Sequence, residues 1–268
     1  MKILIDGIID EKNNIYTSEA LNFGYGLFET IKLESGKLFF LKEHIDRLNR
    51  SLKYIGINDS LNIVDIEKKV KELPDFDRIE KGAVKILVAK SKDDLICIIS
   101  SRKAEYKDSL YENGFKLKIS KVFRNESSIM PKIKSINYLE NIIERQKAIE
   151  DNYDDCLFLN SKNRIAETSI ANIFFVKNGN IYTPDIEEGL LEGVLRNIVI
   201  EISRNSGIKI YEGKYDLEEI YNADEVFITN SLMGIMPISC IDEKKYSMSN
   251  SKVTRKLSCE YKKIIEGE

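Results

Sequence analysis

Apolar, β-rich runs joined by short polar turns recur along the chain and limit its fold more than any other feature. Leu27 to Leu33 meets Leu38 to Leu41 across Glu34-Ser35-Gly36-Lys37, and Ala83 to Ala89 meets Leu95 to Ile99 across Lys90 to Asp94. In the second half, Ile170 to Lys177 meets Ile181 to Thr183 across Asn178-Gly179-Asn180. Hairpin turns join antiparallel neighbours, so antiparallel pairs must frame the sheets. Short strands are also predicted at Lys2 to Ile5 and Gly7 to Ile9.

Between these runs the apolar spacing becomes helical. Lys42 to Tyr54 carries Ile45, Leu48 and Leu52 with Ile55 just beyond, and Ile63 to Leu73 carries Val64, Ile66 and Val70. Both predict amphipathic helices laid on a sheet. Asn137 to Asn152 predicts a helix buried along Leu139, Ile142, Ile143 and Ala148, and further helices are predicted near Gly193 to Ser206 and Leu217 to Tyr221. Strands are predicted at Phe115 to Val122, Cys156 to Asn160, Ile208 to Glu212 and Glu225 to Thr229. Ser100 to Asn113 is charged and aperiodic and reads as a link between domains. The expected division is a small N-terminal α/β domain over 1–107, a linker and entry to the second domain over 108–120, and a larger domain over 121–268.

Composition removes several function classes. The 41 Lys and Arg against 44 Asp and Glu, scattered along the chain, give no basic stripe for nucleic acid. No apolar run approaches the roughly 20 residues that a membrane helix needs, and the N-terminus lacks a signal-peptide core. The single histidine, His44, leaves no imidazole cluster for metal and allows a serine or cysteine triad only if His44 is its base. The four cysteines are far apart and read as reduced thiols of a cytoplasmic protein.

Several segments, in order, carry a family resemblance: FGYGLFETIKL from Phe23 with LKEHIDRL from Leu41, KIKSINYLEN from Lys132, RIAETSIANIFFV from Arg164, GLLEGVLR from Gly189, and ITNSLMGIMPIS from Ile228. Together they resemble the class-IV aminotransferases, fold-type IV pyridoxal 5'-phosphate (PLP) enzymes, and their relatives the aminodeoxychorismate lyases. The resemblance implies an α/β (α+β) fold of two domains, the larger with a mixed-sheet or barrel-like core. It also implies PLP as cofactor, a small-molecule amine as substrate, and a homodimer.

Residue roles follow from the same resemblance. Lys134 falls at the lysine that forms the Schiff base with PLP, and Glu167 at the carboxylate placed against the pyridine nitrogen. Arg47 falls at the arginine directed at the phosphate. The rest of that cradle is expected from the backbone N–H groups of Val194 and Leu195 at a helix start, and from the turn at Ser231 and Leu232. Phe28 matches a ring lining the pocket, and Tyr25 lies one strand repeat earlier as a second candidate for the substrate pocket. Ser169 and Asn172 read as turn-stabilising groups, and His44 as a packing residue.

The sequence departs from many relatives by having Leu195 and Leu232 where they carry hydroxyls. The loop Lys90 to Asp94 also lacks the arginine that several relatives use near substrate. The Phe28-Glu29-Thr30 triplet is nearer to the lyases than to branched-chain aminotransferases, which often have glycine at the position of Thr30. The expected reaction is therefore that of 4-amino-4-deoxychorismate lyase, with transamination of branched-chain or D-amino acids as the alternative. A PLP-binding protein without catalysis is the remote third reading.

Overall fold

The computed structural model describes residues 3–5, 8–10, 18–73, 76–91 and 94–267. Strands β1 (Ile3–Ile5) and β2 (Ile8–Asp10) pair antiparallel. Lys2 and Gly7 of the expected opening strands, and Lys92 and Asp93 of the second hairpin turn, lie outside the described residues. Helix α1 (Glu19–Phe23) then leads into β3 (Gly26–Glu34) and β4 (Lys37–Leu38). With β5 (Lys81–Ser91) and β6 (Asp94–Lys103) these form an antiparallel sheet in the order β4-β3-β5-β6. Helices α2 (Leu41–Tyr54) and α3 (Ile63–Lys71) bury Ile45, Leu48, Leu52, Ile66 and Val70 against this sheet.

The strand parity of β3 contains a feature that governs the site. Leu27, Ile31 and Leu33 point to the apolar side, and Glu29 shares their parity and their burial. Phe28 and Thr30 point to the opposite side.

Ser100 to Lys103, expected to begin the linker, continue β6 instead, and Asp108–Asn113 form the short helix α4. An edge strand satisfies its backbone from one side only and tolerates polar side chains, so the charged sequence there concealed a strand.

Beyond α4 a barrel closes. Its strands are β7 (Phe115–Ile119), β8 (Asp155–Leu159), β9 (Ile165–Thr168), β10 (Asn172–Lys177), β13 (Glu225–Asn230) and β14 (Gly234–Ile241). The order β10-β13-β14-β7-β8-β9 returns to β10 through the pairing of Glu167 with Asn172. Strands β11 (Asn180–Pro184) and β12 (Ile210–Gly213) extend the sheet beside β10, and β15 (Lys244–Lys245) folds back on β14. Phe115, Leu157, Ile165, Ile173, Ile228 and Met236 belong to one of its buried cores.

Helices α5 (Leu139–Glu150), α6 (Val194–Asn205), α7 (Leu217–Tyr221) and α8 (Lys252–Glu266) complete the second half. Helix α5 overturns an expectation: only Glu144 and Ala148 are buried, while Leu139 is 67% and Ile142 59% exposed. The helix lies on β8 through its polar-and-alanine side, so its apolar stripe faces outward. Val64 of α3 is likewise exposed.

Candidate active site

A cavity of about 570 Å³ opens where the face of β3 bearing Phe28 meets the barrel end at which β9 closes on β10. Lys134, Arg47, Glu167, Val194, Leu195, Ser231 and Leu232 all line it, as do Phe28 and Thr30. Tyr25 does not. Its hydroxyl donates to the Ile55 carbonyl at 2.6 Å and its ring packs with the core beneath the four-stranded sheet, so the expected substrate contact is corrected to a structural one. The cause is parity: Tyr25 precedes Gly26, where β3 begins, and leaves on the helix side.

Lys134 is held by backbone pairing across the two halves of the chain. The Phe28 N–H donates to the Lys134 carbonyl at 2.9 Å, the Ile136 N–H donates to the Gly26 carbonyl at 3.0 Å, and Leu27 bridges Ser135. This short ladder fixes the ammonium 4.5 Å from the centre of the Phe28 ring and 5.2 Å from that of Tyr138. Burial, together with the charge of Arg47, lowers the Lys134 amine to about 8, against the pull of Glu29 and Glu167. A substantial neutral fraction is thus available near neutral pH, as a nucleophile or base requires.

Arg47 reaches the cavity from α2. Its Nε donates to Glu29 Oε1 at 2.8 Å, one terminal nitrogen donates to Glu29 Oε2 at 2.6 Å, and the other donates to the Glu192 carbonyl at 3.0 Å. Each terminal nitrogen keeps a second N–H. Glu29 also meets His44 Nδ1 at 2.7 Å. Burial pushes the Glu29 carboxyl up, but Arg47 and His44 outweigh it and hold it at about 2. The sequence reading missed Glu29, although a charged residue on the apolar parity of β3 was a visible signal. His44 and Arg47, three apart on the buried side of α2, were its counterpart.

Beside Arg47, α6 begins at Gly193 with no side chain capping it, so the amides of Val194 and Leu195 start the helix at the cavity wall. A Cβ at Gly193 would stand 2.0 Å from Asn172 Oδ1, so any other residue there would have to displace the Asn172 amide. Asn172 in turn donates to the Leu191 carbonyl at 2.8 Å. The Leu195 side chain is 1% exposed and packs among Phe174, Val199 and Leu257, so its amide is the polar group that it offers here. Ser231 Oγ lies 3.1 Å from His44 Nε2. The Leu232 N–H already donates to Asn230 Oδ1 at 3.0 Å, so its expected contribution to an anion cradle is weakened.

At the other end stands Glu167. Oε2 accepts from the Leu191 N–H at 3.1 Å, whereas Oε1 takes no hydrogen bond among the described residues and has Arg124 at 3.6 Å. Burial lifts this carboxyl to about 7, opposed by Arg124, the Leu191 N–H and Lys134. Arg124, also missed in the sequence, is steered by Glu140 at 2.6 Å and Asn141 at 3.0 Å, and its guanidinium lies 3.8 Å from the centre of the Phe158 ring. Ser169 accepts from the Tyr138 hydroxyl and the Asn141 amide through its carbonyl, and its Oγ donates to Asp155. Ser169 and Asn172 therefore brace the wall, as their sequence reading anticipated.

The cavity thus offers an amine, an anion cradle and a carboxylate short of one donor. Residues 26–241 match the family model of amino-transferase class IV. The chain belongs to that family. It is 31% identical to the aminodeoxychorismate lyase of Bacillus subtilis, over 91% of this chain and 87% of that one. It is 27% identical to the D-alanine aminotransferase of Bacillus licheniformis, over 90% and 89% of the two chains. A branched-chain aminotransferase structure from Thermoproteus uzoniensis superposes with a TM-score of 0.86 at 29% identity, covering 100% of this chain and 95% of that one.

The mixed α/β architecture, with its closed six-stranded barrel, is the fold-type IV architecture expected. The chain is accordingly a PLP-dependent enzyme. Its residues fit that cofactor: an uncapped helix start beside a guanidinium suits a phosphate, and the open oxygen of Glu167 suits a ring N–H. Among the described residues, no helix is long and apolar enough to cross a membrane, and no cluster of His, Cys, Asp and Glu could hold a metal.

Proposed function

We propose that this enzyme is a 4-amino-4-deoxychorismate lyase, releasing pyruvate and leaving 4-aminobenzoate, the aromatic amine used for folate. The observation that carries this reading is the cavity face of the four-stranded sheet. Phe28 and Thr30 share that face, and Arg102 of β6 also lines the cavity, its side chain making no hydrogen bond or ion pair among the described residues. Arg102 supplies the cation that the Lys90 to Asp94 loop lacked in the sequence reading. Arg145 lines the cavity too. A substrate with two carboxylates suits such a mouth better than an apolar amino acid does, and Thr30 adds a hydroxyl.

Bound PLP supplies an electrophilic carbon for amines and a ring that withdraws electrons from the carbon bearing the amine. In this reading Arg47 and the amides of Val194 and Leu195 bind its phosphate, with Ser231 beside them. Glu167 would hold the ring N–H and so maintain the positive charge that makes the ring an electron sink. Lys134 would anchor the cofactor, and its free amine would serve as the base that takes the proton beside the substrate nitrogen. Loss of the enolpyruvyl group then makes the ring aromatic. The atoms of 4-aminobenzoate and pyruvate sum to those of the substrate, so no second substrate is consumed.

The partnership reading is a homodimer. Leu139, Ile142 and Ile143 expose an apolar stripe on α5, and Phe23 at the end of α1 is 77% exposed next to Gly24, whose carbonyl accepts from Asn137. The domain reading is a smaller unit up to about residue 107 and a larger one beyond it, with the cavity at their junction. The free cysteines accord with a reducing compartment such as the cytoplasm.

The test supplies enzymatically made aminodeoxychorismate and measures pyruvate and 4-aminobenzoate, beside a panel of L- and D-amino acids with 2-oxoglutarate. Pyruvate in equal amount to 4-aminobenzoate is expected. Brisk keto-acid exchange with no pyruvate from aminodeoxychorismate would make the enzyme a transaminase, the alternative that the D-alanine and branched-chain relatives represent.

A further inference from the structure

His44 is fully buried and joins the cavity wall to the core: Nδ1 lies 2.7 Å from Glu29 Oε2 and Nε2 lies 3.1 Å from Ser231 Oγ. The proton positions follow from the partners. Glu29 accepts two N–H groups from Arg47, so it is a carboxylate and its contact with the imidazole must use an Nδ1 proton. A neutral His44 then has a bare Nε2, which can only accept, and the Ser231 hydroxyl must donate to it. In that arrangement Ser231 turns lone pairs, and no proton, toward the cavity. Burial favours this neutral ring, with Glu29 opposing.

A phosphate beside Arg47 and the start of α6 reverses the requirement. Its oxygens are acceptors, and the dianion repels the lone pairs of Ser231. The hydroxyl can turn its proton to the phosphate only if His44 Nε2 becomes a donor. We propose that His44 is a positioning residue for the cofactor phosphate: it takes one proton from solvent when the cradle fills, donates Nε2–H to Ser231 Oγ, and thereby turns the Ser231 hydroxyl toward the phosphate. The imidazolium so formed sits between the carboxylate of Glu29 and the phosphate, two anions that offset its burial. The other charges near it are Arg47 on its own helix and Lys134 across the cavity, both of which oppose protonation. The one bond formed is Nε2–H, with a proton from solvent, and the balance is one proton taken up per phosphate bound.

This inference rests on the reading of the cavity as the PLP site, and the experiment separates the two. Because His44 is the only histidine, ¹⁵N-histidine labelling gives a spectrum with two ring signals. The PLP-free protein at pH 8 should show a protonated Nδ1 and an unprotonated Nε2, and the PLP-bound protein should show both protonated. Ser231→Ala keeps the Glu29–His44–Arg47 contacts, and its imidazole should stay neutral on PLP binding. Sulfate, which carries no proton in this range, should at saturating concentration protonate Nε2 in the wild type. Where the ring signals report titration, PLP affinity of the wild type should fall up to about tenfold per pH unit, a slope that Ser231→Ala lacks.

Borohydride that fixes PLP on Lys134 while Nε2 stays unprotonated overturns the inference and leaves the site standing. PLP fixed elsewhere overturns the site. Protonation of Nε2 in Ser231→Ala as well would show that the charge alone drives it, and would remove Ser231 from the relay.

Discussion

Two buried carboxylates, one behind the cavity wall and one lining it, end in opposite states. Glu29, from the four-stranded sheet, is drawn down to about 2, while Glu167, from the barrel, is pushed up to about 7. Burial acts on both in the same direction. The difference is the donor count: Glu29 takes three N–H groups from two side chains, whereas Glu167 takes one backbone N–H and faces Arg124 at 3.6 Å. Glu29 is complete within the protein and braces Arg47. Glu167 is left short of a partner where a cofactor nitrogen would supply one. Of the two, the carboxylate short of donors is the one that lines the cavity.

Lys134 stands electrostatically between the two, and its removal should have the largest effect. Lys134→Ala should lose at least about 10²-fold in rate, since acid–base transfer alone accounts for about 10² to 10⁴. Borohydride should no longer fix PLP to the chain. Lys134 is coupled to both carboxylates, so its loss should let each titrate higher. Glu29 keeps Arg47 and His44 and should stay below the ordinary carboxylate range while Glu167 stays above it, as ¹³C carboxyl shifts would show. A Glu29 that rises to the level of Glu167 would contradict the division.

Glu29→Gln should destabilise the fold by about 3–5 kcal/mol in urea, because it leaves Arg47 and His44 without their buried anion. Glu167→Gln at pH 8 should cost the PLP-free protein under about 1 kcal/mol, or stabilise it, since it removes a poorly paired buried charge. Comparable losses in both variants would erase the distinction. Activity should respond in both, through Arg47 in one and through the ring contact in the other.

The pH dependence has opposite signs. A depressed pKa makes the stabilisation from Glu29 complete above about 4.5 and lost as pH falls toward 2. A raised pKa means that the folded state holds the Glu167 proton longer than the unfolded state does. Stability of the PLP-free protein should therefore fall as pH rises from about 4.5 to 7, by at most about 3 kcal/mol, and Glu167→Gln should remove that slope. Urea midpoints across this range in the wild type and the two variants measure both signs.

The smallest effect concerns Thr229, whose buried hydroxyl has no hydrogen bond among the described residues. Thr229→Val should stabilise the PLP-free protein by about 1 kcal/mol, as an orphaned polar group is replaced by a methyl of similar size. A loss of stability, read from the melting temperature, would show that the hydroxyl has a partner in solution.

The sequence by itself determined the local and the chemical. Alternation and turn residues gave the hairpins of β3 with β4, β5 with β6, and β10 with β11, because strand parity and turn conformation are decided by neighbours along the chain. The segments around Lys134, Glu167 and Arg47 carried the family because each motif is contiguous. Only the tertiary structure decided what those residues meet. Tyr25 left the pocket for the core, α5 turned its apolar stripe outward, and the strand β6 ran through residues that read as a linker. The donors to Glu29 lie 15 and 18 residues away on α2, and the amide that reaches Glu167 lies 24 residues away. Hydrogen-bond counts of buried groups depend on which elements pack face to face. Nothing in a run of neighbours along the chain encodes that, so the states of the two carboxylates, and of the histidine between Glu29 and Ser231, appear only when the sheet and the barrel close on one cavity.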